Sequence, residues 1–224
     1  MELREYISVR RAYNLVRQET ETSRRLTFEE FAILCRLAFA GEPLKTSTIA
    51  EYQGALRPTM THRTNHLAKL GFIDRGEGTE DRRNIVCKIS DEGLEQVDQL
   101  ADATRAHIAA GQPLARTSSE RLCRYIDAMG SVYCTAGELV ILSLFIEYDS
   151  PRMITQLVES LGLLQPTVSM SVSSLIKQGY VERSVSQESS RSSFLVLTES
   201  GKSLAETLAD RISSIIVRRR SRIQ

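Results

Sequence analysis

Apolar positions along the chain follow two spacings. Long stretches carry the three-to-four-residue period of an amphipathic helix, and they are twice interrupted by short runs with strand alternation. Residues 3–22 are rich in Leu, Val, Tyr and Arg, lack Gly and Pro, and predict a helix. Thr27-x-x-Glu30 is a capping box, in which hydroxyl and carboxylate satisfy the free amides of a helix start. The helix it opens carries Phe31, Leu34, Leu37 and Ala38 on one face, and Gly41-Glu42-Pro43 ends it. A short helix over Thr48–Tyr52, a turn at Gly54 and a helix over Pro58–Leu70 follow. Pro in a first turn costs no hydrogen bond, and Gly71 suits a left-handed cap. Residues 72–75 then read as a strand, 76–83 as a polar tip and 84–89 as the returning strand, with Ile85, Cys87 and Ile89 on one face. Ser90 caps a long helix over 91–110, Gly111-Gln112-Pro113 breaks it, and a further helix runs over 114–130.

The same order recurs. Shifted by 108 residues, positions 27–100 lie over 135–208 without a gap and share 18 of 74 residues. Among the identities are Thr27/Thr135, Glu30/Glu138, Pro58/Pro166, Gly71/Gly179, Arg75/Arg183 and Gly93/Gly201. Caps, Pro and Gly fix backbone shape, so their coincidence marks two copies of one fold. The expected division is 1–110 and 111–224, with the three-residue breaker as a linker too short for the halves to tumble freely. The second copy ends in a helix over 199–222, and the expected class is mainly α with small β wings.

Composition narrows the function. With 42% hydrophobic and 25% charged residues, the chain has the proportions of a globular protein. Net charge is +1, which excludes a polybasic protein while allowing a local basic face. Aromatics are 6% and Trp is absent, which argues against sugar clefts and single-strand stacking platforms. The longest apolar run, Leu139–Ile146, is broken by Ser143 and falls well short of the ~20 residues of a spanning helix. The N-terminus shows no secretory h-region, and the dispersed Cys35, Cys87, Cys123 and Cys134 read as reduced thiols, so the expected compartment is the cytoplasm. Cys35 falls within an apolar helix pattern and reads as core. There is no Gly-rich phosphate loop, no G-x-S-x-G and no H-E-x-x-H, so an enzyme is not expected, nor a cofactor. His62 and His66 stand one helical turn apart, but no third ligand accompanies them, and no metal is expected.

Helix, helix, tight turn, helix and two-stranded hairpin is the order of a winged helix-turn-helix. The stretch Leu56-Arg57-Pro58-Thr59-Met60-Thr61-His62 through Leu67-Ala68-Lys69-Leu70-Gly71-Phe72-Ile73-Asp74-Arg75, followed by Glu80-Asp81-Arg82-Arg83, resembles the MarR family of bacterial transcription regulators. Leu164-Gln165-Pro166-Thr167-Val168-Ser169 through Gly179-Tyr180-Val181-Glu182-Arg183 repeats the resemblance. A recognition helix keeps one buried stripe and turns short polar or basic side chains to the major groove. In copy one the stripe is Met60, Thr64, Leu67 and Leu70. The outward set is Thr59, Thr61, His62, Arg63 and His66, with Arg57 at the start. In copy two the stripe is Val168, Val172, Leu175 and Ile176. Thr167, Ser169, Met170, Ser173 and Ser174 face outward, with Gln165 at the start and no basic residue before Lys177. On the first wing Asp81 is placed to brace Arg83, and Arg82 and Arg83 to reach a minor groove or phosphates; the second wing keeps Arg191 but has Ser189 in place of Asp81.

MarR regulators are homodimers whose terminal helices interleave and whose two wings read a palindrome. The resemblance therefore implies a dimer fused into one chain, pseudo-twofold, with helices 3–22, 91–110, 114–130 and 199–222 as its body. Its partner would be double-stranded operator DNA, read as two unlike half-sites ~34 Å apart. The family also implies a small aromatic acid as effector. The monomeric pseudo-dimer and a further homodimer both stay open. So does a second functional class, a tandem winged-helix module that binds protein. The basic first copy favours DNA, and the neutral, Ser-rich second copy favours protein.

Overall fold

A computed structural model describes residues 1–78, 84–147, 150–185 and 193–217. The first copy comprises α1 (Leu3–Glu19), a 3-10 turn (Thr22–Arg24), α2 (Phe28–Ala40), β1 (Leu44–Lys45), α3 (Thr46–Tyr52), α4 (Arg57–Lys69), β2 (Ile73–Glu77), β3 (Ile85–Ile89) and α5 (Asp91–Ala106). The second comprises α6 (Ser119–Met129), α7 (Ala136–Ile146), α8 (Ile154–Leu161), α9 (Gln165–Lys177), β4 (Val181–Val185), β5 (Ser193–Leu197) and α10 (Glu199–Ser213). Displaced by 108 residues, α4, β2 and β3 fall on α9, β4 and β5 at both ends. The chain is thus mainly helical with two small antiparallel sheets, and each copy is a winged helix-turn-helix.

Local chemistry explains why the copies agree. Thr27 Oγ1 accepts from the Glu30 amide at 3.1 Å while Glu30 Oε2 accepts from the Thr27 amide at 2.8 Å. Thr135 and Glu138 reproduce the box at 3.2 and 2.7 Å. Gly71 and Gly179 end the recognition helices at φ 80° and 76°, where a side chain is strained. Gly93 and Gly201 are required for a second reason: a Cβ would lie 2.0 Å from the Phe72 carbonyl oxygen in one copy and 2.0 Å from that of Tyr180 in the other. The helix after each wing therefore starts directly against the strand leaving the recognition helix. Ser90 and Thr198 fix that junction, each donating to a glycine carbonyl, of Gly71 and Gly179, at 2.6 Å.

Several boundaries differ from expectation. The first helix stops at Glu19, and α5 stops at Ala106. The helix expected from 114 begins at Ser119, because Leu114 has φ 67° and Ser118 supplies the cap, accepting from the Arg121 amide. The linker is consequently the whole stretch 107–118 rather than the breaker alone. The last helix ends at Ser213, and 218–224 lie outside the described residues. The strand β1, too short to show a pattern, pairs with β3 (Leu44↔Cys87) and gives the sheet order β1-β3-β2. Its counterpart is the single bridge Arg152↔Leu195. On β3 Cys87 is buried as expected, but Ile85 is 37% exposed, since the hairpin leaves the body toward its tip.

Packing divides the chain differently from the repeat. One compact unit joins Met1–Leu15 to Cys134–Ser214, and the other is built on Val16–Tyr133. In the first, α1 is tied to the second copy. Arg11 Nε donates to the Glu159 carbonyl and Asn14 Nδ2 to that of Leu161, both at 2.9 Å, and Arg10 Nη2 donates to the Cys134 carbonyl at 3.2 Å. In the second, α6 packs on α2 of the first copy. Arg36 pairs with Asp127 at 2.8 Å, and Tyr52 Oη donates to the Asp127 carbonyl at 2.8 Å. Each copy's leading helix thus packs with the other copy's winged domain. The 1–110 and 111–224 division is one of sequence, and contact follows another line.

Candidate nucleic-acid interface

In the unit built on Val16–Tyr133, α4 begins with Pro58 in its first turn and buries Met60, Thr64 and Leu67. Thr64 turns its hydroxyl onto the Met60 carbonyl at 2.9 Å, which lets a polar residue sit in the stripe. Arg57, Thr59, Thr61 and His62 are exposed on the opposite side. Arg63 is half-buried: its Nη1 donates to Gln53 Oε1 at 2.9 Å, and Gln53 in turn donates to the Glu29 carbonyl at 3.0 Å. This arginine therefore holds α4 to the turn before it.

His66 departs from expectation. Its Nδ1 lies 2.7 Å from Glu30 Oε1, and the Glu30 side chain is only 4% exposed. The ring lies against α2 instead of projecting outward, because the same carboxylate that closes the α2 capping box has a second oxygen free to receive it. Nothing in the spacing of α4 announces a partner 36 residues earlier.

The exposed end of α4 opens onto a cleft of about 200 Å³ lined by Thr46, Ser47, Arg57, Thr61, Arg75, Asn84 and Ile85. Thr46, Ser47, Arg75 and Asn84 were not expected at the site. They come from the start of α3 and the root of the wing, which only the β1–β3–β2 sheet brings to α4. Arg75 was visible as a repeat identity, and its Nη1 donates to Asn65 Oδ1. Two guanidinium groups and several hydroxyls around one small cleft suit a phosphate oxygen. The wing-tip residues Asp81, Arg82 and Arg83 lie outside the described residues, as does Arg191 of the second wing.

In the other unit α9 has Pro166 in its first turn and buries Val168, Val172 and Leu175. Gln165 and Ser173 are exposed, Thr167 and Ser169 half-buried, and Met170 is 74% exposed. Ser173 Oγ donates back to the Ser169 carbonyl at 2.9 Å. Ser169, Met170, Ser173, Ser174 and Lys177 line an open groove of about 350 Å³. Neither α4 nor α9 contains an acidic residue; α4 carries Arg57, Arg63 and Lys69, whereas α9 carries Lys177 alone.

Perturbed titration lies in the core and not on these faces. Burial pushes the Cys35 thiol well up, with Cys123 and Asp127 adding to it. Burial likewise raises Cys134, against smaller opposing effects of Tyr6 and Arg10. Among the described residues no cluster of three or more His, Cys, Asp or Glu side chains is placed to hold a metal ion, and no helix is long and apolar enough to cross a membrane.

The MarR family model matches residues 26–85, which span α2 through the start of β3. The first winged copy is a MarR-family domain. Residues 138–183 match the model of bacterial regulatory proteins of the arsR family, so the MarR-type copy is followed by a second regulator-type helix-turn-helix. No curated protein sequence matches the chain. Among solved structures, the transcriptional regulator BldR from Sulfolobus solfataricus is 20% identical with a TM-score of 0.35; the match covers 37% of this chain and 58% of that one. YusO from Bacillus subtilis is 22% identical over 54% of this chain and 79% of that one, TM-score 0.38. Transcriptional regulator Tm0710 from Thermotoga maritima is 18% identical over 55% and 82%, TM-score 0.39. In its domain content the protein is a transcription regulator of the winged helix-turn-helix class.

Proposed function

We propose that the protein binds double-stranded DNA sequence-specifically as a single-chain counterpart of a MarR dimer, using α4 and the first wing as its anchor. The observation that carries this is the cleft where Arg57 and Thr61 of α4 meet Arg75, Asn84 and the start of α3, beside an exposed Thr59 and His62. It joins a groove-reading helix to a phosphate site on one surface, and α4 brings no acidic side chain to oppose it. The exchange of leading helices between the two copies supports the fused-dimer reading, since MarR dimers interleave their terminal helices. One chain then brings two unlike recognition helices, so the operator consists of two unlike half-sites. Arg82, Arg83 and Arg191 are assigned to groove or phosphate contact, with Asp81 bracing the first wing.

The test is binding to random-sequence and upstream-region duplex DNA at two salt concentrations, with and without small aromatic acids. A sequence-preferring complex that weakens steeply with salt is the expected result. No complex at low salt under any condition refutes the proposal and moves the assignment to a protein-binding module, for which the exposed Met170 on a neutral helix is the supporting feature.

A further inference from the structure

The two recognition helices occupy the same register yet present opposite chemistry. Where α4 has Arg57, His62, Arg63 and His66, α9 has Gln165, Met170, Ser171 and Ser174. Met170 is 74% exposed and stands in the open groove among serine hydroxyls, with Lys177 as the helix's single charge in its last turn. A large apolar side chain held in water at the centre of a helix-turn-helix reading face asks for an apolar partner. In the major groove of B-DNA the thymine 5-methyl is the apolar feature among base edges that otherwise present donors and acceptors. Serine hydroxyls accept or donate to several bases and discriminate weakly, and no Arg or Lys stands before the last turn to pair with guanine O6 and N7. The unbranched, polarisable methionine adapts its rotamer to the methyl it meets.

We propose that the second half-site is A·T-rich and that Met170 reads it by packing on thymine methyl groups, while the first copy supplies most of the phosphate anchoring. This rests on the DNA-binding reading above and gives the asymmetry of the operator a direction.

The experiment selects operators from a random duplex pool with the full-length chain, then replaces each thymine of the selected duplex, one at a time, by deoxyuridine. Uracil pairs as thymine does but lacks the methyl. Loss of one buried methyl contact is expected to weaken binding about fourfold at one or two positions of a single, A·T-rich half-site. In Met170→Ala, thymine and uracil at those positions bind equally, and circular dichroism is unchanged because the side chain is exposed. The inference is overturned if the selected operator has no A·T-rich half-site, or if the uracil penalty persists in Met170→Ala. It is also overturned if Met170→Ala leaves DNA affinity untouched, which assigns the face to a protein partner. Failure of the pool to enrich at all refutes the DNA-binding reading itself, whereas enrichment without methyl dependence refutes only this inference.

Discussion

Glu30 is the structural hinge between the first recognition helix and its support, and the repeat provides its control. Both Glu30 and Glu138 accept from the amide and hydroxyl of a capping threonine, at 2.8 and 3.0 Å in one copy and 2.7 and 2.9 Å in the other. Only Glu30 also receives a histidine, His66 at 2.7 Å, since position 174 is Ser. Removing the capping box costs about 1 kcal/mol at either site. A hydrogen bond to a charged group adds about 1.5–3 kcal/mol, reduced toward the lower end because the histidine is a third exposed. Glu30→Ala is therefore expected to destabilise by about 2–3 kcal/mol against about 1 for Glu138→Ala. The assay is urea unfolding of Glu30→Ala, His66→Ala and the double variant, all within one compact unit, beside Glu138→Ala. A coupling energy near 1 kcal/mol is expected from the cycle. Coupling below about 0.3 kcal/mol, or equal costs at Glu30 and Glu138, refutes the reasoning. His66→Ala should leave DNA affinity within about twofold, because its ring is turned to the body and a twofold change is well under a tenfold, 1.4 kcal/mol, effect.

Three further outcomes follow from the geometry. Gly93→Ala and Gly201→Ala each drive a methyl into a backbone carbonyl 2.0 Å away, and each should cost about 3 kcal/mol or more in thermal or urea unfolding; a cost under about 1 kcal/mol contradicts the close contact. Arg57→Ala is expected to weaken DNA binding almost uniformly across sequences and to reduce the salt slope by about 1, read by fluorescence anisotropy at several salt concentrations. Because burial raises the Cys35 and Cys134 thiols, the unfolded chain loses those protons first as pH climbs. Their contribution to stability is complete below the ordinary thiol range and drains away above it, by up to about 1.4 kcal/mol per pH unit for each thiol. Urea midpoints should fall between about pH 8 and pH 10, and fall less steeply in Cys35→Ala.

Local chemistry alone determined much of this protein. The capping boxes, the Pro-started recognition helices, the Gly71 and Gly179 caps and the 108-residue repeat are written in neighbouring residues, because each depends on hydrogen bonds or torsions within a few positions. The buried stripes of α4 and α9 were legible for the same reason, as a period of one helix. The outward set was legible only in part. Thr59, Thr61 and His62 face solvent, but Arg63 and His66 are claimed by Gln53 and Glu30 from other helices. Thr46, Ser47, Arg75 and Asn84 join the site only because a two-residue strand pairs with the wing. The leading helices show the limit most plainly. Residues 3–22 and 114–130 read as amphipathic, but periodicity reports that a face is buried without saying against what. That α1 is held by the carbonyls of Glu159 and Leu161, and α6 by Arg36 and Tyr52, was decided by tertiary packing, where complementary surfaces far apart in sequence meet.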